Sequence, residues 1–121
     1  MAATIHIGEV ADRTGLSLRT LRHYDEIGLA SPSDRTSGGF RLYTETDVEH
    51  LLLVRRMKPL GFSLEQMGEV LAAADVLAGD PDDAGARATL NSFLTDAQQR
   101  REKLDRQLSA ADELIMRLRE V

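Results

Sequence analysis

Cysteine and tryptophan are both absent from the 121 residues. Without cysteine there is no disulfide, no thiolate zinc site, no iron–sulfur ligation and no thiol nucleophile. A small core must then hold without covalent staples, or a partner must help. Aromatics are scarce, with two Tyr and three Phe, and β-branched runs are short. Both features point to a mostly helical chain. No apolar run approaches the roughly 20 residues of a membrane-spanning helix. The N-terminal stretch MAATIHIGEV lacks the basic and apolar regions of a signal peptide. A cytoplasmic protein with no membrane partner is the expectation. Enzyme motifs are missing too, including zinc-protease, nucleophile-elbow and phosphate-loop patterns. His6, His23 and His50 have no metal-ligand spacing, and Asp80, Asp82 and Asp83 lack the ligand spacing and closing Glu of a calcium loop. Neither catalysis, nor a metal, nor a cofactor is expected.

Acids outnumber bases by 20 to 15, for a formal charge of −5. The bases are unevenly placed. The window from Arg13 to Lys58 holds eight bases and six acids, whereas residues 1–12 and 59–79 hold five acids and no base. A basic stretch inside an acidic chain suits a directed contact with an anion better than non-specific sticking. An ordinary mixed-charge surface is the competing explanation.

Helix punctuation is legible in the first half. Residues 7–13 read as a short helix stopped by Gly15. Ser17 is a good N-cap for a second helix over 18–27, with Gly28 just past its end. Two short helices joined by a tight, Gly-containing turn form a helix-turn-helix pattern, although a plain helical hairpin has the same signs. Leu18, Leu21 and Ile27 are expected to face the core. Pro32, Gly38 and Gly39 then break any helix, and Phe40 to Tyr43 alternate with period 2. A small hairpin with its tip near Gly38 follows, which makes the unit a winged helix-turn-helix. Thr44 to Asp47 opens a third helix, directed toward Leu60, with Pro59 and Gly61 ending it. Ser63 to Gln66 is a capping box for a fourth, running to about Leu77.

Residues 79–85 read as a polar linker, and 86–120 contain no Pro and no Gly. Leu90, Ala97, Leu104, Ala111 and Leu118 recur every seven residues, and Leu94, Leu108 and Ile115 sit four after members of that series. Arg101 interrupts the second series. Such a sustained heptad pattern indicates a coiled coil. A helix of this length spans roughly 50 Å, too long to fold wholly onto a small globule. Self-association is therefore expected, with packing on its own domain as the alternative. Arg101 is then a register device or lies near one end of the contact.

Arg19, Arg22 and His23 share one face of the second helix at spacings of three and four. Insertion into a DNA major groove requires such a face, and Arg can bind phosphate or pair with guanine edges. Ser17 and Thr20 complete the candidate DNA-facing set on this helix. Arg35 and Arg41 flank the hairpin tip, where a wing would meet the backbone or minor groove. Arg55 and Lys58 lie late in the third helix, within reach of phosphate.

The sequence resembles the MerR family of bacterial transcription regulators. Three blocks carry the likeness: IGEVADRTGLSLRTLRHYDEIGL at 7–29, GGFRLYTETDVEHL at 38–51 and PLGFSLEQM at 59–67. They stand in the family's order and spacing. The C-terminal helix matches the family's dimerisation helix in position and type. The resemblance implies antiparallel homodimers that bind inverted-repeat promoter operators, with RNA polymerase as a further partner on the promoter. It implies that the DNA is bent and undertwisted, a deformation offset by backbone contacts. It also implies DNA contacts for Arg19, Arg22, Tyr24, Arg35, Gly39, Phe40, Arg41, Tyr43 and Lys58. For Tyr24 and Tyr43 a packing role stands equally open. His23 and Phe40 occupy places where an aromatic and a tyrosine, respectively, are frequent. The cysteines that the metal and redox branches carry after the dimerisation helix are missing, and a drug-sensing domain beyond Val121 is not expected, so a departure from the usual inducer logic is the expectation.

The expectation is thus a mostly α protein, with a winged helix-turn-helix DNA-binding domain over 1–78, a linker over 79–85 and a coiled-coil dimerisation helix over 86–121. Its function would be sequence-specific transcription regulation by binding and deforming an inverted repeat. The alternative is a coiled-coil interaction module, or an architectural factor, without regulated DNA binding. The input signal stays open among a small apolar ligand, a protein partner on the coiled coil, and none.

Overall fold

The computed structural model describes residues 4–121. It is mostly helical, with a small sheet. The elements are β1 (Ile5–His6), α1 (Ile7–Thr14), α2 (Leu18–Glu26), β2 (Asp34–Arg35), β3 (Arg41–Tyr43), α3 (Glu45–Met57), a 3₁₀ turn (Lys58–Leu60), α4 (Leu64–Gly79) and α5 (Ala84–Glu120). The chain divides into two compact units, one running to Leu71 and one from Ala72 to Val121.

In the first unit, local hydrogen bonds set the helix ends. Ser17 Oγ accepts the Thr20 amide at 3.0 Å and starts α2. Thr44 and Asp47 form a reciprocal capping box at the start of α3, with bonds of 3.1 and 2.9 Å. Ser63 and Gln66 do the same at the start of α4, at 3.1 and 2.9 Å. Each box satisfies backbone donors that the first helical turn leaves orphaned. Asp47 also accepts the Ser33 hydroxyl at 2.7 Å and its amide at 3.0 Å, so the segment before the hairpin is tied to α3.

The sheet has three strands in the order β1-β3-β2, all antiparallel. Asp34 pairs with Leu42 and Arg35 with Arg41, which is the expected hairpin. The strand β1 adds to the other edge of β3, with Ile5 opposite Tyr43 and His6 opposite Leu42. Two residues are too few to show a period, so β1 was not legible as a strand.

Val10, Thr14, Leu21, Tyr43, Leu51 and Val54 are the most deeply buried side chains of this unit, joined by Ile5, Tyr24, Val48, Phe62 and Met67. On α2 the core face differs from the expected one. Leu21 is fully buried and Tyr24 joins it, whereas Leu18 and Ile27 are 40% and 45% exposed. The reason is geometric. A step of three residues falls short of a full turn by about 60°, so the series 18, 21, 24, 27 winds halfway round the helix. Only its middle pair faces inward.

In the second unit, Ala73 and Ala86 are buried, while Leu77, Leu90 and Phe93 are half-buried. Asp83 caps α5 by accepting the Ala86 amide at 2.8 Å. The helix α5 has 37 residues, which corresponds to roughly 55 Å. It begins at Ala84, inside the stretch whose composition reads as linker. Every residue from Arg101 onward is exposed. No helix among the described residues is long and apolar enough to cross a membrane.

Candidate nucleic-acid interface

The turn between α1 and α2 is built from side chain and backbone together. Gly15 has φ +72° and its amide donates to the Ala11 carbonyl at 2.9 Å. Thr14 is fully buried; its hydroxyl donates to the Val10 carbonyl at 2.8 Å and accepts the Leu16 amide at 3.3 Å. The Arg55 guanidinium lies against the same turn, 3.2 Å from where a Cβ on Gly15 would stand. A side chain at Gly15 would meet both an unfavourable φ and this arginine. Thus α3 braces the turn that aims α2.

Beyond the turn, Arg19, Arg22 and His23 are exposed on one side of α2. Together with Thr20 and Glu26 they line one open depression along the helix. Ser17 Oγ donates to Thr20 Oγ1 at 2.9 Å while it caps the helix. Both hydroxyls are therefore partly engaged at the N-terminus. Among the described residues Arg19 and Arg22 make no ion pair. Their guanidinium donors remain available to an incoming acceptor.

The hairpin tip is a compact wing. Thr36 and Phe40 exchange backbone and side-chain bonds: the Thr36 amide donates to the Phe40 carbonyl at 2.8 Å, and the Phe40 amide to Thr36 Oγ1 at 3.1 Å. Gly39, with φ +84°, lets the chain reverse there. Phe40 is 72% exposed at the tip, an aromatic presented to solvent. Arg35 Nη2 and Arg41 Nε both reach Asp25 Oδ2, at 2.6 and 2.7 Å. Burial pushes the Asp25 carboxyl up, but the bonds from Arg41 and then Arg35 outweigh it and hold it below the ordinary carboxylate value. Asp25 is the residue that the sequence pattern did not single out. It looked like one more acid among six. Only folding, across separations of 10 and 16 residues, pairs it with the wing.

Tyr24 and Tyr43 lie in the core. Tyr43 is 1% exposed, and its buried hydroxyl has no hydrogen-bond partner. Burial, and after it the negative charge of Asp25, raises the pKa of that hydroxyl. Tyr24 is 4% exposed, with its ring centroid 6.2 Å from that of exposed His23. Lys58 is exposed at the 3₁₀ turn after α3, beside exposed Arg55 and Arg56. Arg13 is engaged elsewhere, in a two-bond pair with Glu45 at 2.8 and 2.6 Å. The pair is solvent-exposed on both sides and therefore adds little stability.

The same helix-turn-helix and wing recur in known proteins. Residues 5–74 match the MerR HTH family regulatory protein. The chain belongs to this family. One relative, heavy metal-dependent transcription regulator 2 of Rhizobium meliloti (strain 1021), is 46% identical over 68 residues, covering 56% of this chain and 46% of that protein. The chain spans about half the length of the curated MerR relatives it matches first. Among solved structures, a MerR family transcriptional regulator from Bacillus cereus aligns with a TM-score of 0.68 at 30% identity, over 98% of this chain and 79% of that one. HiNmlR, a MerR family regulator lacking the sensor domain and solved bound to promoter DNA, aligns with a TM-score of 0.74 over 94% of this chain and 89% of its own. At 24% identity that likeness is one of fold. The chain carries the DNA-binding helix-turn-helix of the MerR regulators, and its MerR relatives are named as transcription regulators.

Proposed function

We propose that this MerR chain binds an inverted-repeat promoter operator as a homodimer and regulates transcription by deforming it. The carrying observation is the geometry of α2. Its exposed arginines, Arg19 and Arg22, share a face with His23, and the wing is anchored to the last turn of the same helix through Asp25. In this reading α2 enters the major groove, with Arg19 and Arg22 meeting base edges or phosphate. Ser17 and Thr20 flank them at the helix start. Arg35, Gly39, Phe40 and Arg41 meet the flanking backbone or minor groove, and Lys58 adds a phosphate contact. Phosphate contacts set the register, and base contacts choose the sequence. Tyr24 and Tyr43 support the interface from within the core.

Dimerisation is assigned to α5. Leu94, Leu104, Leu108, Ile115 and Leu118 are all exposed, between 46% and 62%, and lie on the two heptad series. Leu90, Ala97 and Ala111 complete the seam. An exposed stripe of this kind is covered when a second copy pairs along it, and antiparallel pairing would set two α2 helices onto the two half-sites. Bending and undertwisting would bring a polymerase-competent promoter geometry, with RNA polymerase as the partner on the DNA.

The test is selection of genomic fragments by the purified protein, followed by a salt titration and light scattering. An inverted repeat within a promoter, bound by a dimer with steeply salt-dependent affinity, supports the proposal. A folded dimer that selects no sequence refutes it and favours a coiled-coil interaction module.

A further inference from the structure

A carboxylate sits where a phosphate-binding surface should least tolerate one. The Asp25 side chain is 10% exposed, and one oxygen, Oδ2, takes Arg35 Nη2 at 2.6 Å and Arg41 Nε at 2.7 Å. Arg35 and Arg41 stand opposite each other on β2 and β3. One oxygen therefore ties both strands of the wing to the helix that carries Arg19 and Arg22. A guanidinium has five N–H donors, and each arginine gives one of them to Asp25. Arg41 is held by Nε, which leaves the donors on both Nη atoms. Arg35 is held by one Nη atom, which leaves Nε and the other Nη. Arg35 stays 46% exposed and Arg41 23%, so both can reach a second acceptor.

We propose that Asp25 is a positioning residue for DNA recognition, presetting Arg35 and Arg41 as a fixed pair of phosphate donors and holding the wing at a set distance from α2. The proposal rests on the assignment of the wing arginines to the DNA backbone. A preset arginine loses less side-chain freedom on binding, and that saving appears as affinity. The opposing physical effect has the opposite sign. A carboxylate that merely neutralised the arginines would repel DNA, and deleting it would tighten binding. The sign of the change therefore decides.

The experiment compares the wild type with Asp25→Ala, Asp25→Asn, Arg35→Ala/Arg41→Ala, and the triple variant that combines Asp25→Ala with the arginine pair. Two probes are used: the duplex selected from genomic fragments, and a random-sequence duplex at low salt, to which phosphate contacts bind regardless of sequence. Folding is verified by circular dichroism and light scattering. Asp25→Ala is expected to bind the selected duplex about tenfold more weakly, although it removes a negative charge, a loss equivalent to ~1.4 kcal/mol. The slope of log affinity against log salt should fall by up to about two, the value for two phosphate contacts, toward that of the arginine double variant. Adding Asp25→Ala to the arginine pair should cost nothing more. Asp25→Asn keeps the shape and one acceptor, so it should lie between, and it carries the test if Asp25→Ala does not fold. Binding at or above wild-type strength in the folded Asp25 variants, with the arginine pair still weakened, overturns the proposal alone. Wild-type binding and salt slope in the arginine pair would instead overturn the wing assignment itself.

Discussion

Replacing Tyr43 with Phe should stabilise the protein and leave DNA affinity unchanged. Tyr43 closes β3 opposite Ile5 and is among the largest fully buried side chains. Its hydroxyl is shielded from solvent and has no partner. A buried hydroxyl that has lost water without gaining a bond costs ~1–3 kcal/mol. Phenylalanine keeps the ring and its packing, and removes only the oxygen, so the cavity left is too small to reverse the gain. A stabilisation of about 1 kcal/mol is expected, and for a domain of this size that raises Tm by roughly 4–8 °C. The assay is calorimetry of both proteins at equal concentration, because the proposed self-association would make Tm concentration-dependent. Binding to the selected duplex is titrated in parallel. A lower Tm would show that the hydroxyl has a structural partner. A normal Tm with weaker binding would show that it reaches phosphate. Either result refutes the assignment of Tyr43 to the core alone.

Leu21→Ala should cost ~2–5 kcal/mol in urea unfolding, as for other fully buried leucines, whereas Leu18→Ala, 40% exposed, should cost less than about 1 kcal/mol; similar losses would refute the assigned core face of α2. Leu108→Glu on α5, at a position 62% exposed, should convert the proposed dimer to a monomer in light scattering without changing helical content, and a persistent dimer would reject this seam. The third prediction concerns acid. Asp25 is held below its ordinary value, so the stabilisation it provides is present above the unfolded value of about 3.9 and is lost as pH falls through the lower folded value. The Tm difference between wild type and Asp25→Asn should therefore be constant from pH 5 to 8 and shrink below about pH 4; a difference that grows on acidification would contradict the sign.

Local signals were legible because their physics is local. Ser17, Thr44 and Ser63 each bond within three residues, and Gly15 closes its helix by a bond to a residue four back. Such contacts are written into neighbouring letters. The exposed basic face of α2 could be read the same way, since spacing of three and four places Arg19, Arg22 and His23 together. What failed was placing Leu18 and Ile27 on the core face with Leu21, because they stand about 60° and 120° round the helix from it.

From the sequence alone came the starts of α2, α3 and α4, the wing between two helices, the long C-terminal helix and the membership suggested by three ordered blocks. These depend on periodicity and on short-range bonds. Tertiary structure alone decided that Ile5 and His6 extend the sheet, that Tyr43 faces inward, that Arg55 braces Gly15 and that Asp25 gathers Arg35 and Arg41. Each of these joins residues far apart in the chain. Their pairing depends on which elements pack together, and no pattern of neighbouring residues carries that information.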